Sequence, residues 1–238
     1  MIYSSNQSVR ASMADTKANL SVLGTFQIIQ DAITELTGQY DVDNVSLKKN
    51  YNAFWVFTKT KIKFFKKIQW SERITVNSFI SFISTVKINI DVEIINKDNE
   101  IAAYSKTELC ALDKATQKIR KLSTVGIEDT MLEDKQSVEI EFSKFIEKDL
   151  PVVDRVKIKY TNIDFSHHTN NLEYVRVIMN TYSVEQIENK DIKEIEIIYL
   201  NQSFENDVLD VKKANFDYKD LIVLEKESRP VVKCEIVF

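Results

Sequence analysis

The sequence predicts an α+β protein in which one structural unit is built twice. Three observations carry this expectation. A stretch with helical spacing at 19–38 is followed by long alternating segments, and a second helical stretch at 170–189 is followed by another such run. Between them, residues 123–150 are rich in acid and lack a clear period, which places the inter-domain connection there, with room for a short helix.

In "NLSVLGTFQIIQDAITELTG" (19–38), Leu20, Leu23, Ile29, Ala32, Ile33 and Leu36 recur at helical spacing, with Asn19 as N-cap and Gly38 just past the end. "AFWVFTKTKIKFF" (53–65) alternates from Thr58 to Phe64 and sets Lys59, Lys61 and Lys63 on one face. Segments 72–84, 86–100 and 101–113 continue as strands, with "NKDNE" as a turn signal between the last two. Pro151 opens a further strand, "VVDRVKIKYTNID". The second helix then carries Leu172, Val175, Ile178, Met179 and Tyr182 as its apolar stripe, and Asn170 with Glu173 resembles a capping box. Strands "IKEIEIIYLNQSF", "DVLDVKKANFDY", "LIVLEKE" and "PVVKCEIVF" close the chain. Setting Asp15 against Asp164 places Asn19 opposite His168 and Leu23 opposite Leu172, and "WSERITV" (70–76) resembles "FENDVLD" (204–210). The offset shrinks between these points, so the first copy has the longer helix-to-strand loop.

Composition excludes several function classes. With Lys plus Arg at 32 and Asp plus Glu at 36, the net charge of −4 argues against a nucleic-acid binder driven by bulk charge. Only Gly24, Gly38 and Gly126 exist, too few for a Gly-rich phosphate loop. Cys110 and Cys234 lie in strand-like segments without a second Cys at ligand spacing, and read as inert, mostly buried thiols. Residues 1–17 hold no apolar core like that of a signal peptide, and no run approaches bilayer length, so a cytoplasmic protein is expected. No cofactor or metal is called for.

Both histidines of the chain stand together in "NIDFSHHTNNLEYVR" (162–176), in front of the second helix. By residue chemistry alone, Asp164 reads as a turn residue and Asn170 and Asn171 as caps. Two adjacent imidazoles make a poor metal site without a third ligand. Ser166 and Ser203 lack the G-x-S-x-G context of a serine nucleophile. His168 is nevertheless a suitable general base, because an unperturbed imidazole titrates near neutrality, and a helix start at Asn170 and Asn171 offers N–H groups to a developing oxyanion.

The segment D-F-S-H-H-T-N-N-L-E-Y, Asp164 to Tyr174, resembles the signature D-x-N-x-H-x-N-N-x-x-Y of the acyl-[acyl carrier protein] thioesterases of bacteria and plants. "SMADTKANLSVLGTFQIIQDA", "AFWVFTKTKIKFFKKIQWSERITV" and "LCALDKATQKIRKL" resemble further segments of that family, so the likeness spans most of residues 8–210. It implies two tandem hot-dog units, each a long helix wrapped by an antiparallel sheet, packed as a pseudo-dimer. Residues 1–135 would form the N-terminal unit with the acyl-chain pocket, and 150–238 the C-terminal unit with the Asp/Ser/His motif.

The implied activity is hydrolysis of fatty acyl-acyl carrier protein to free fatty acid, with Asp164, Ser166, His168 and Gln202 at the catalytic positions. The sequence departs from the family at Ser166, where the signature has Asn, at Gln202, which aligns with a glutamate, and at Ser203, which aligns with a cysteine. These departures keep open a catalytically degenerate acyl- or carrier-binding protein, and the fold also admits a coenzyme A thioesterase. The implied partner is acylated acyl carrier protein, presented through its phosphopantetheine arm. Lys59, Lys61, Lys63, Lys66 and Lys67 are candidates to meet it, as are Lys118, Arg120 and Lys121; the competing reading is a solvated strand face. The oligomeric state, including a homodimer, is left open.

Overall fold

Ser21, two residues beyond Asn19, caps the first helix. The side chain of Ser21 accepts the Gly24 N–H (2.9 Å), while the Asn19 N–H donates to Asp15 Oδ1 (2.9 Å) within a preceding loop. Helix α1 runs Val22–Gln39 and includes Gly38, which the sequence places just outside. This computed structural model describes all residues except 134, 136, 137 and 146–149. The parts of the expected inter-domain connection at those positions lie outside the described residues. The chain divides into two compact units, Met1–Glu141 and Phe142–Phe238.

In the first unit, strand β1 (Tyr3–Ser8) precedes α1, and α2 (Asn44–Tyr51) leads into β2 (Ala53–Phe64), β3 (Arg73–Ile83), β4 (Lys87–Ile95) and β5 (Ile101–Asp113). The sheet order is β1-β3-β4-β5-β2, all pairs antiparallel. Helix α1 packs on β3 and β4 and buries Phe26, Ile28, Ile29, Ala32, Ile33 and Leu36. This apolar face supplies the main driving force for folding, roughly 1.5–3 kcal/mol for each large side chain buried. Gly24 is required at the helix start: a Cβ there would lie 2.7 Å from the Met13 carbonyl oxygen. After β5 the chain makes 3-10 turns at Leu122–Val125 and Asp129–Met131 where the sequence allowed a short helix.

In the second unit, β6 (Val152–Lys157) precedes α3 (Asn171–Met179) and α4 (Val184–Glu188), followed by β7 (Glu194–Tyr199), β8 (Val208–Asn215), β9 (Lys219–Lys226) and β10 (Arg229–Val237). Its order, β6-β8-β9-β10-β7, is the first unit's order strand for strand, again antiparallel. The single helix expected over 170–189 is broken. Asn180 closes α3, the Thr181 hydroxyl folds back on the Ile178 carbonyl (2.8 Å), and Ser183 with Gln186 forms a capping box that starts α4. Asn, Thr and Ser favour caps over helix interiors, and here they outweigh the apolar period that runs on to Tyr182. The capping box expected at Asn170 and Glu173 does not close. Asn170 accepts the Leu172 N–H (3.0 Å), and Glu173 instead takes the Asn162 side-chain amide (2.9 Å).

The two units repeat one another in detail. Ser8 pairs with Arg73 as Lys157 pairs with Val208. Val9 receives the Ser71 N–H (3.0 Å) as Ile158 receives that of Asn206 (2.9 Å), and Ser71 and Asn206 are both left-handed (φ 67° and 71°). These bonds match Gln69 to Phe204, so the expected alignment of "WSERITV" with "FENDVLD" is displaced by one residue.

Candidate active site

The Asp164–His168 motif sits on a loop that both units build in the same way. A 3-10 turn (Ala11–Met13, Tyr160–Asn162) leads into a short loop closed by an antiparallel bridge, Ala14 to Leu20 in one copy and Ile163 to Thr169 in the other. An aspartate heads each loop. Asp15 N–H donates to Asn19 O (2.7 Å) and Asp164 N–H to His168 O (2.9 Å). Each aspartate carboxylate also accepts the N–H two residues on, from Lys17 (2.9 Å) and Ser166 (2.8 Å). The fourth residue is left-handed in both, Ala18 at φ 58° and His167 at φ 65°. The copies therefore differ in side chains rather than in backbone: Lys17, Ala18 and Asn19 stand where the second unit has Ser166, His167 and His168.

The strained backbone explains why the two imidazoles part company. His167 is exposed, while His168 is drawn inward and half-buried. His168 packs edge-on against Phe204, with ring centroids 5.2 Å apart. Its Nδ1 lies 3.1 Å from Ser166 Oγ, and that hydroxyl lies 2.5 Å from Asp164 Oδ1. A hydroxyl carries one proton and two lone pairs. The carboxylate only accepts, so the proton of Ser166 goes to Asp164, and Oγ accepts from His168. This assigns the ring proton to Nδ1 and leaves the lone pair on Nε2. Burial pushes the imidazole pKa below its usual 6.5; the Asp164 carboxylate pulls it up and His167 pushes it down. The imidazole is thus neutral at neutral pH, the state a general base needs.

The other expected residues are placed less directly. Among the described residues, Gln202 makes no hydrogen bond to Asp164, Ser166 or His168. It precedes Ser203, whose carbonyl accepts the Thr169 N–H (2.9 Å). At the start of α3 the N–H groups of Asn170, Leu172 and Glu173 are already engaged, by Asn162 O, Asn170 Oδ1 and Asn170 O. That leaves the N–H of Asn171, which has no partner among the described residues.

The basic run does not form the open face its alternation suggests. Lys61 is only 8% exposed, and Lys63 donates to the Glu139 carbonyl (3.1 Å) beside Lys106, which donates to Ile140 (2.8 Å). Strand β2 is buried on parts of both faces, so a period of two does not separate core from solvent there. Lys66 and Lys67 are exposed, and Lys66 lies 3.6 Å from Glu100. Arg120 donates to the Tyr51 carbonyl (2.8 Å), while Lys118 and Lys121 are exposed. Among the described residues, no cluster of three or more His, Cys, Asp or Glu side chains could hold a metal, and no helix is long and apolar enough to cross a membrane.

Sequence reasoning missed a buried hydroxyl cluster behind the loop. Thr169 Oγ1 and Ser203 Oγ are 2.7 Å apart, and Tyr174 Oη is 2.8 Å from Ser203 Oγ. Alignment marked Ser203 and Tyr174, but only the fold brings them together.

The two units share one α+β topology, the tandem hot-dog plan, and the second carries an Asp–Ser–His chain ahead of its first helix. The family model for the acyl-ACP thioesterase N-terminal domain matches residues 1–128, and that for the acyl-ACP thioesterase C-terminal domain matches residues 146–235. The chain belongs to the acyl-ACP thioesterase family, and its activity is hydrolysis of the thioester that joins a fatty acyl chain to acyl carrier protein. A crystal structure of an acyl-ACP thioesterase from Bacteroides thetaiotaomicron is similar at a TM-score of 0.91 and 18% identity, covering 100% of this chain and 97% of that one. The 12:0-ACP thioesterase from Umbellularia californica is similar at a TM-score of 0.88 and 14% identity, covering 99% and 96%. At such identities the likeness speaks for the fold. No curated protein sequence matches the chain significantly.

Proposed function

We propose that Asp164, Ser166 and His168 form a relay that activates water for direct attack on the acyl thioester. The observation that carries this is the position of Ser166 Oγ, 2.5 Å from Asp164 and 3.1 Å from His168 Nδ1. Nε2 of His168 takes a proton from water as the oxygen adds to the thioester carbonyl. The tetrahedral oxyanion faces the Asn171 N–H, with the Gln202 amide as a second donor. A donor of this kind is worth roughly 3–4 kcal/mol in the transition state. Collapse breaks the C–S bond, and the departing thiolate takes the proton back from the His168 imidazolium. The products are the free fatty acid and the carrier thiol.

The relay also assigns the departures from the family signature. Asn would offer its donor and acceptor on separate atoms; Ser166 offers both at one oxygen. A glutamine at 202 cannot take a proton from water at neutral pH, so the base is His168. The acyl chain is assigned to the first unit on the family resemblance, and the exposed Lys66 and Lys67 are the remaining candidates from the basic run for meeting the carrier.

The test is rapid-quench measurement of thiol release from acyl carrier protein and from coenzyme A at equal acyl length. Direct water attack forms thiol and free fatty acid in step, both read in the quenched samples, and release from the protein carrier should be the faster. A burst of thiol that runs ahead of free fatty acid in the quenched samples would mean a covalent acyl-enzyme and would overturn the proposed attack.

A further inference from the structure

Behind the catalytic loop lie three hydroxyls that water does not reach. Ser203 is 0% exposed, Tyr174 3% and Thr169 4%. They satisfy one another. Thr169 Oγ1 lies 2.7 Å from Ser203 Oγ and 3.0 Å from its carbonyl; Tyr174 Oη lies 2.8 Å from Ser203 Oγ and accepts the Ser203 N–H at 3.2 Å. The cluster joins three places that are distant in sequence: the residue after His168, the residue between Gln202 and Phe204, and the first turn of α3.

The first unit provides an internal control. The same backbone joint exists there, Leu20 N–H to Ile68 O at 2.7 Å, matching Thr169 N–H to Ser203 O at 2.9 Å. Its side chains are Leu20 and Ile68, and Thr25, at the position of Tyr174, bonds to the Ser21 carbonyl of its own helix (2.9 Å). The fold therefore closes this joint without a hydroxyl cluster. Buried hydroxyls are costly unless paired and directional when they are. They stand only in the copy that carries the imidazole.

We propose that Ser203, clamped between Thr169 and Tyr174, is a positioning residue that sets His168 against Phe204 and holds Gln202 beside the reacting carbonyl. It does not attack the substrate. Its hydroxyl is sealed from solvent and is taken up by the Thr169 and Tyr174 hydroxyls. The inference rests on the reading of His168 as the base. A small displacement of a base is costly, about 10- to 100-fold for something near 1 Å, and Ser203 reaches His168 from two sides, through Thr169, the next residue in the chain, and through its own neighbour Phe204, whose ring packs on the imidazole.

The test uses the full chain with acyl carrier protein as acyl donor, comparing Ser203→Ala, Tyr174→Phe, the double variant and His168→Ala. The expected result for Ser203→Ala is a fall in kcat of about 10-fold or more, with KM within about twofold. The acid limb of the pH profile should move upward as the imidazole loosens toward water. Tyr174→Phe should do the same more weakly, and the double variant should cost little more than Ser203→Ala alone, because the hydroxyls act as a unit.

A Ser203→Ala enzyme with wild-type kcat and pH profile overturns the proposal. So does a covalent acyl-Ser203 intermediate, or a loss of activity that follows the melting temperature while the pH profile stays fixed. If Ser203→Ala does not fold, the kcat and pH profile of Tyr174→Phe decide by the same criteria. An active His168→Ala enzyme would instead sink the general-base reading, whatever Ser203 does.

Discussion

Removal of the Ser166 hydroxyl breaks the proposed relay at its middle and leaves the loop standing. In Ser166→Ala the backbone N–H still donates to Asp164 Oδ1 (2.8 Å), and the loop stays closed by the Ile163–Thr169 bridge. Stability should change by no more than about 1 kcal/mol, because the side chain is only half-buried. What is lost is the acceptor for His168 Nδ1–H and the link to the carboxylate. Hydrogen bonds that involve a charged group are worth about 1.5–3 kcal/mol. At about 1.4 kcal/mol per factor of ten, kcat should fall about 10- to 150-fold. Ser166→Asn, which restores the family's residue, should keep most of the rate, since the amide also offers a donor and an acceptor. The assay is steady-state release of carrier thiol across pH, with KM and kcat resolved and melting temperature as the control. Wild-type kcat in Ser166→Ala would refute the relay.

Three further outcomes follow from the same geometry. The acid limb of kcat/KM should lie below the ordinary imidazole value of 6.5, because burial destabilises the charged ring; Phe204→Ala, which opens the ring face to water, should move the limb upward toward 6.5. Asp164→Asn should move it further down while lowering kcat, since the carboxylate is what holds the pKa up. Away from the site, Lys213 is buried under the Tyr182 ring and bonded to Thr181, and its pKa is pushed down to about 8 by burial. The unfolded chain binds this proton more tightly, so Lys213 contributes a rise in unfolding free energy of up to about 3 kcal/mol between pH about 8 and 10.5, read as the difference between wild type and variant because the buried thiols Cys110 and Cys234, pushed up by burial, pull the other way in that window. Lys213→Met should lack that rise when urea unfolding is compared at the two ends of the window.

The parts of the fold legible in the sequence are those where one period decides burial. Strand β5 (Ile101–Asp113) falls where the pattern places it, and so does most of α1. Strand β1, "YSSNQS", has no apolar alternation to read, because it is a polar strand at the end of its sheet. Helix α2 has no apolar stripe to read, although Asp43 ahead of it caps Val45 and Ser46 and Asn52 ends it in a left-handed turn. Lys61 is buried because strand β2 is covered where alternation implies solvent. At the site, Asp164, Ser166 and His168 are legible because they are close in sequence and share one loop. The contacts of Ser203 with Tyr174 and Thr169 span 29 and 34 residues and come only from the return of the chain after β7.

The central claim is that His168 is the base, and its most direct test is single-turnover hydrolysis of a fatty acyl-acyl carrier protein by the wild type and by His168→Ala. General-base catalysis is typically worth ~10²–10⁴-fold. The account predicts a rate loss in that range, with the substrate still bound and the acid limb gone from the pH profile. Equal rates for the two proteins, or a variant that keeps the wild-type acid limb, would contradict it.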